Sequence, residues 1–352
     1  MENLGIKKNF KNFWHNKKIF ITGHTGFKGT WLYLYLFFKG AKVYGYSKNY
    51  KYNSTIFSKK LFKKNQVIDD VKNYNKLKNS IYKFQPEIVI HMAAQPLVLD
   101  SYSNPLDTYL TNFVGTLNIL EICRNITKIK SICIVTSDKV YKNLNKIKKY
   151  NEKDELLGKD PYSSSKVCAE ILTYSYYETF YKNKNISLFT VRAGNVIGGG
   201  DWSKNRLIPD IIRSNKNKKK LLVRNPKHSR PWQHVLDVIF IYTKLLEVSY
   251  KQNISGGWNV SSNYKKPISV QKILNLSQRF IDFNFNFSSK KNYIESKSLL
   301  LDNSKLNKKI NFTNNLTIID SLKWTFEWYL NKTNNFKKTM LQIEKYISNY
   351  EK

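Results

Sequence analysis

Apolar positions in this chain fall into short runs, and longer amphipathic stretches lie between them. Ile19-Phe20-Ile21, Gln66 to Ile68, Glu87 to His91, Ser131 to Thr136 and Ile186 to Arg192 read as strands. Ile88-Val89-Ile90 and Ile132-Cys133-Ile134-Val135 lack polar alternation, as strands buried on both faces do. The first run is followed by Gly23, Gly26 and Gly29, then the apolar stretch Trp31 to Leu36, Gly40 as a helix stop, and Ala41 to Gly45 as a second strand. This strand–helix–strand order, repeated along the chain, predicts an α/β fold with a doubly wound parallel sheet and helices on both faces. Past Val196 the alternation breaks at Gly198-Gly199-Gly200, and short elements follow. A helix from Val235 to Ser249 and a strand at Gly257 to Val260 then return to the first pattern. The expected organisation is a nucleotide-binding domain of residues 1–195 plus part of 235–262, interlaced with a smaller α/β substrate-binding domain of 196–234 and 263–352.

Composition bounds this picture without redirecting it. The 352 residues are 41% apolar, enough for a substantial core. The apolar run Trp31 to Phe38 is far shorter than the roughly 20 residues that cross a bilayer. The polar start, with Lys7, Lys8, Lys11 and Asn12, has no signal-peptide core, so a cytoplasmic protein without a membrane partner is expected. Cys123, Cys133 and Cys168 show no metal-ligand spacing and read as reduced core thiols, with no metal site. The net charge of +35 invites a nucleic-acid partner. Lysines are nevertheless spread over nearly every loop and polar face, which fits a solvated surface, and no nucleic-acid partner is expected. The densest run, Asn215 to Lys220, falls between a helix and the short strand Leu221 to Val223.

Three segments carry chemistry. The glycines after the first strand fit a phosphate-gripping turn. Gly23 permits the sharp bend, Gly26 the close approach of a diphosphate, and Gly29 tight packing of a helix whose amino terminus faces the anion. Tyr162 and Lys166 lie four residues apart behind Asp160-Pro161, hence on one face of a helix that Pro161 starts. A phenol becomes a usable base near neutrality only where a cation stabilises its phenolate, and Lys166 can supply that charge. Thr136-Ser137-Asp138-Lys139 ends a buried strand, where side chains face the ligand crevice of an open α/β sheet.

These segments resemble the extended short-chain dehydrogenase/reductases of the NAD-dependent epimerase/dehydratase family. The resemblance also rests on His91 to Pro96, Thr111 to Thr116, Arg192-Ala193-Gly194-Asn195-Val196 and Arg230-Pro231-Trp232-Gln233-His234-Val235. Within the family it is nearest to the CDP-glucose dehydratases. The dTDP-glucose dehydratases typically carry Asp-Glu where this chain has Asp138-Lys139, and epimerases lack that doublet. The resemblance implies a Rossmann fold, tightly held NAD, and CDP-glucose as the substrate that loses water. It also implies a role in surface-polysaccharide (O-antigen) sugar synthesis and a homodimer or homotetramer built from the helices containing Asn112 to Glu121 and Tyr162 to Phe180. Other sugar-nucleotide dehydratases and 4-epimerases share the oxidising centre. A basic nucleic-acid-binding Rossmann protein is the alternative from another class.

The resemblance assigns Tyr162 as the base at the sugar carbon 4 hydroxyl, Ser137 as its hydrogen-bond partner, Lys166 as the cation beside it and Asp138 as the acid at carbon 6. Lys139 is either the base at carbon 5 or a charged stabiliser of the enolate. Gly23, Gly26, Phe27 and Gly29 fall to the pyrophosphate turn, and Asp70 and Val71 to the adenine end. Ala93, Ala94 and Gln95 fall to the ribose and nicotinamide wall, with Asn112 tying these segments together. Asn195, Arg206 and Arg230 fall to the nucleotide-sugar pocket. The second strand departs from the family: Val43 to Lys48 holds no acidic residue to select NAD over NADP, and Lys48 could meet a phosphate instead.

Overall fold

The computed structural model describes residues 12–49, 60–144, 148–262, 268–288, 299–312 and 315–351; the amino terminus through Lys11 lies outside them. Seven strands form one parallel sheet: β1 (Lys18–Thr22), β2 (Lys42–Ser47), β3 (Gln66–Ile68), β4 (Ile88–His91), β5 (Ser131–Val135), β6 (Ser187–Ala193) and β7 (Ser255–Val260). Their spatial order is β7-β6-β5-β4-β1-β2-β3. Ile19 stands beside Val43 on one side and Ile88 on the other, so the order reverses between β1 and β4. Ligands of doubly wound sheets sit in the crevice at such a reversal. β2 runs through Ser47, and its carboxyl half pairs with β3.

Helices cover both faces, and each face has its own apolar core. On one side lie α1 (Phe27–Phe38) and α6 (Val235–Lys251), with Leu32, Leu34, Val238 and Leu245 packed on Ile19, Ile21 and Ile90. On the other lie α2 (Tyr74–Phe84) and α3 (Gly115–Cys123), with Ile81, Ile119 and Leu120 packed on Phe20, Val89 and Ile132. Each fully buried large apolar side chain contributes about 1.5–3 kcal/mol, so these two layers hold the sheet rigid beneath the crevice. Helix α4 (Pro161–Tyr176) runs from the crevice towards the amino ends of the strands and starts with a capping box, Asp160 accepting from the Ser163 N–H at 2.9 Å.

The smaller lobe is threaded through the larger one. Its core joins Ile197, Trp232, Ile273 and Phe283 with residues of α5 (Leu207–Asn217) and α7 (Ile318–Leu330). Trp232 is a packing residue, buried and donating its indole N–H to the Ile268 carbonyl. The carboxyl-terminal part of 263–352, expected in this lobe, is shared. Helix α8 (Asn335–Tyr350) packs against α1, and Trp324, Trp328, Ile343 and Tyr346 extend the α1/α6 core. Trp328 fills the space above Gly199, where an added Cβ would stand 2.0 Å from the indole ring. Trp31 donates to the Gly199 carbonyl and Tyr329 to that of Asp201, so this carboxyl-terminal packing fixes the loop over the crevice. No helix among the described residues is long and apolar enough to cross a membrane.

Candidate active site

The glycine turn is as tight as its sequence implies. Gly23 has φ +74°, and a Cβ there would lie 2.7 Å from the Ala93 nitrogen, which brings β1 and β4 together at the reversal. A Cβ on Gly29 would lie 2.1 Å from the Gly23 carbonyl oxygen. Gly26 is the N-cap of α1 and offers no side chain to cap it, so the first-turn N–H groups stay available for an anion. The cradle therefore fits a dinucleotide diphosphate.

The wall beside it is built from Thr22, whose hydroxyl oxygen accepts from the Met92 and Ala93 N–H groups at 3.1 and 3.2 Å. Asn112 is fully buried and acts as a strut. Its side chain pairs with both backbone groups of Gln95 and donates to the Ser165 hydroxyl at 2.9 Å, tying the wall to α4. Ala94 follows Ala93 in the same loop. The adenine-end pair divides. Asp70 forms ion pairs with Lys48 at 3.2 Å and Lys72 at 3.6 Å, whereas the Val71 side chain is buried in the α2/α3 core. Lys48 thus has a carboxylate partner.

Ser137, Asp138, Lys139, Tyr162, Asn195, Arg206 and Arg230 line a single cleft of about 340 Å³, which brings four of the five expected catalytic residues together with the expected sugar-nucleotide residues; Lys166 lies outside its lining. Ser137 caps a short 3₁₀ turn, Asp138–Val140, by accepting from the Lys139 N–H, and donates to Asp138 Oδ1 at 3.1 Å. Asp138 Oδ2 is buried with no hydrogen-bond partner. Burial raises this carboxyl against the opposing pull of Lys139, Ser137 and Arg230, which favours a protonated acid. Burial also raises the Tyr162 phenol, a hydrogen bond with Ser137 lowers it, and Asp138 pushes it up again. Lys166 donates to the Val135 carbonyl at 3.1 Å, and burial together with the charge of Lys28 depresses it to about 7.

Lys28, in the turn motif but given no role by sequence reasoning, also lines the cleft. Burial and Arg206 lower it to about 8, against the pull of Asp138. Its position one residue after Phe27, on the first turn of a helix aimed at the crevice, was the available signal. Arg206 pairs with Asp201 at 3.0 Å, and Arg230 is buried close enough to lower Asp138. Cys123, Cys133 and Cys168 are free thiols, and no cluster of three potential metal ligands occurs among the described residues.

Comparisons with known proteins place the chain in a family. The CDP-glucose 4,6-dehydratase of Salmonella typhimurium is 43% identical over 275 residues, covering 75% of this chain and 76% of that protein. The dTDP-glucose 4,6-dehydratase of Bacillus anthracis, solved in complex with NAD, superposes with a TM-score of 0.76 at 21% identity, covering 92% of this chain and 99% of that one. MoeE5, solved with UDP-glucuronic acid and NAD, gives 0.76 at 18% identity over 89% of this chain and 98% of that one. These two structures share the Rossmann-type fold. A family model described as GDP-mannose 4,6 dehydratase matches residues 20–324, and the chain belongs to that family of sugar-nucleotide dehydratases.

Proposed function

We propose that this protein is a hydro-lyase that binds NAD and converts CDP-glucose to CDP-4-keto-6-deoxyglucose and water. The observation that carries the reading is the buried Asp138 carboxyl, whose Oδ2 has no hydrogen-bond partner among the described residues, in one cleft with Ser137, Lys139 and Tyr162. Bound in the Gly23–Gly29 cradle, NAD would supply a reversible hydride acceptor, letting the sugar be oxidised at carbon 4 and reduced at carbon 6 within one turnover. Tyr162 takes the proton of the carbon 4 hydroxyl, with Ser137 hydrogen-bonding the same oxygen. The resulting ketone acidifies the hydrogen at carbon 5. Lys139 removes that proton or stabilises the enolate as a cation, and Asp138 gives its proton to the departing carbon 6 hydroxyl, which leaves as water. Arg206 and Arg230 suit the substrate diphosphate, and Asn195 the sugar. A 4-epimerase has no use for a protonated acid at carbon 6, so the Asp138 environment favours dehydration.

NAD rather than NADP fits a Lys48 already committed to Asp70. A homodimer fits the apolar side chains left exposed along α4, Ile171 at 60% and Tyr174 at 65% exposure, and on the short helix Pro105–Tyr109, where Leu106 is 71% exposed. Residues Asn118 to Leu120, expected in that interface, are buried in the protomer core. The free thiols and the metabolites used fit a cytoplasmic enzyme that feeds surface-polysaccharide synthesis.

The test is a panel of CDP-, dTDP-, UDP- and GDP-glucose with NAD, read by the alkaline absorbance of the keto sugar. CDP-glucose should be preferred, and Tyr162→Phe should lose roughly 10²–10⁴-fold in rate while retaining its cofactor. Preference for another base, or parental speed in the Phe variant, overturns the reading.

A further inference from the structure

A buried ion pair lies behind the cleft, outside the catalytic set. Glu170, two turns beyond Tyr162 on α4, has both oxygens saturated. Oε1 accepts from the Thr136 hydroxyl at 2.5 Å and Arg192 Nε at 3.0 Å, and Oε2 from the Thr190 hydroxyl at 2.7 Å and Arg192 Nη2 at 2.8 Å. Arg192 Nη1 donates to the Tyr141 hydroxyl at 2.9 Å, and the guanidinium lies 5.1 Å from the centroid of that ring. Tyr141 in turn donates to Asn259 Oδ1 at 2.7 Å, and Asn259 is held by the Tyr150 and Asp302 carbonyls. Gly257 leaves the guanidinium its space, since a Cβ there would lie 2.5 Å from Arg192 Cζ.

Stability alone is a weak reason for such an arrangement, because desolvating two charges offsets most of their attraction and apolar side chains would fill the space equally well. What the pair uniquely supplies is direction. Thr136 and Tyr141 stand immediately before and after the segment Ser137 to Val140, and both are bonded to the same pair. Ser137 to Val140 is a single 3₁₀ turn with its cap, too short to fix itself. Tyr162 and Lys166 have independent supports in the Asp160 capping box and the Asn112–Ser165 strut.

We propose that the Glu170–Arg192 pair is a positioning device for the elimination step, which fixes Asp138 and Lys139 relative to Tyr162 by holding their turn at both ends. The inference rests on the dehydratase reading for its chemistry, not for its geometry. Tyr141→Phe keeps the ring and removes only the hydroxyl link. Amide exchange of residues 137–140 should quicken by about tenfold or more, with 161–176 unchanged. With CDP-glucose, entry of solvent deuterium at carbon 5 and product formation should slow by about tenfold to a hundredfold, while the appearance of reduced nicotinamide, in which Ser137 of the same turn takes part, slows by less than about threefold and KM changes by less than about twofold. Thr136→Val should behave likewise, and Thr136→Ser should restore the parental values.

Unchanged amide exchange at 137–140 overturns the proposal, as does equal slowing of oxidation and elimination. If exchange quickens there but the parent protein dehydrates no nucleotide sugar, the clamp stands and the dehydratase reading fails.

Discussion

Replacing Gly29 by Ala sets two effects of opposite sign against each other. Gly29 is the third residue of α1, where alanine is favoured over glycine by about 0.5–1 kcal/mol on helix propensity alone. The added Cβ, however, would lie 2.1 Å from the Gly23 carbonyl oxygen, 2.8 Å from its carbon and 2.9 Å from the His24 Cα, all of them backbone atoms of the same turn. Ordinary contact begins near 3.5 Å, so helix and turn must separate by about 1 Å. Overpacking of this kind typically costs about 1–3 kcal/mol. Three simultaneous backbone contacts put Gly29→Ala at the upper end, so the net expectation is a loss of about 2 kcal/mol. The same displacement carries the first-turn N–H groups away from the diphosphate, and a misplacement of about 1 Å can weaken a positioned contact by up to a hundredfold. Urea unfolding of the NAD-free protein measures the first quantity and calorimetric titration with NAD the second. A variant that is stabilised and binds NAD as the parent does would refute the cradle, because propensity would then be the only effect operating.

Lys139→Met should abolish solvent exchange of the carbon 5 hydrogen together with dehydration. Full exchange at parental turnover excludes both the base and the enolate-stabilising role. The pH dependence of kcat/KM reports ionisations of the free enzyme, and Lys166 there loses its proton near about 7, below the ordinary lysine range. If Tyr162 needs the ammonium beside it, kcat/KM falls as pH rises through that value. Lys28→Met removes a neighbouring positive charge, stabilises the Lys166 ammonium and moves the falling limb to higher pH. A limb that stays in place or moves down shows that Lys166 does not set it.

The sheet and the helix that carries Tyr162 were legible because their signals are local. β4 and β5 are unbroken apolar runs, and α4 announces itself with Asp160-Pro161. Sequence alone also grouped Ser137, Asp138, Lys139 and Tyr162, since strand ends and helix starts converge at the crevice of such a sheet. The docking of helix α8 was not legible because its partner, α1, lies about 300 residues earlier in the chain and an amphipathic stripe does not name what it packs on. The Glu170–Arg192 pair was invisible for a related reason: one residue lies on α4 and the other on β6, and only their tertiary adjacency makes them partners. Lys166 was expected beside the phenol, yet it donates to the Val135 carbonyl, a backbone acceptor that no side-chain spacing reveals.

The seat of Trp328 above Gly199 has a consequence for how the protein is born. A ribosome delivers the nucleotide-gripping turn before the loop around Gly199, and that loop well before the indole that holds it in place. Until that indole is made the sugar chamber lacks its roof, so the chamber is completed only when α7 docks.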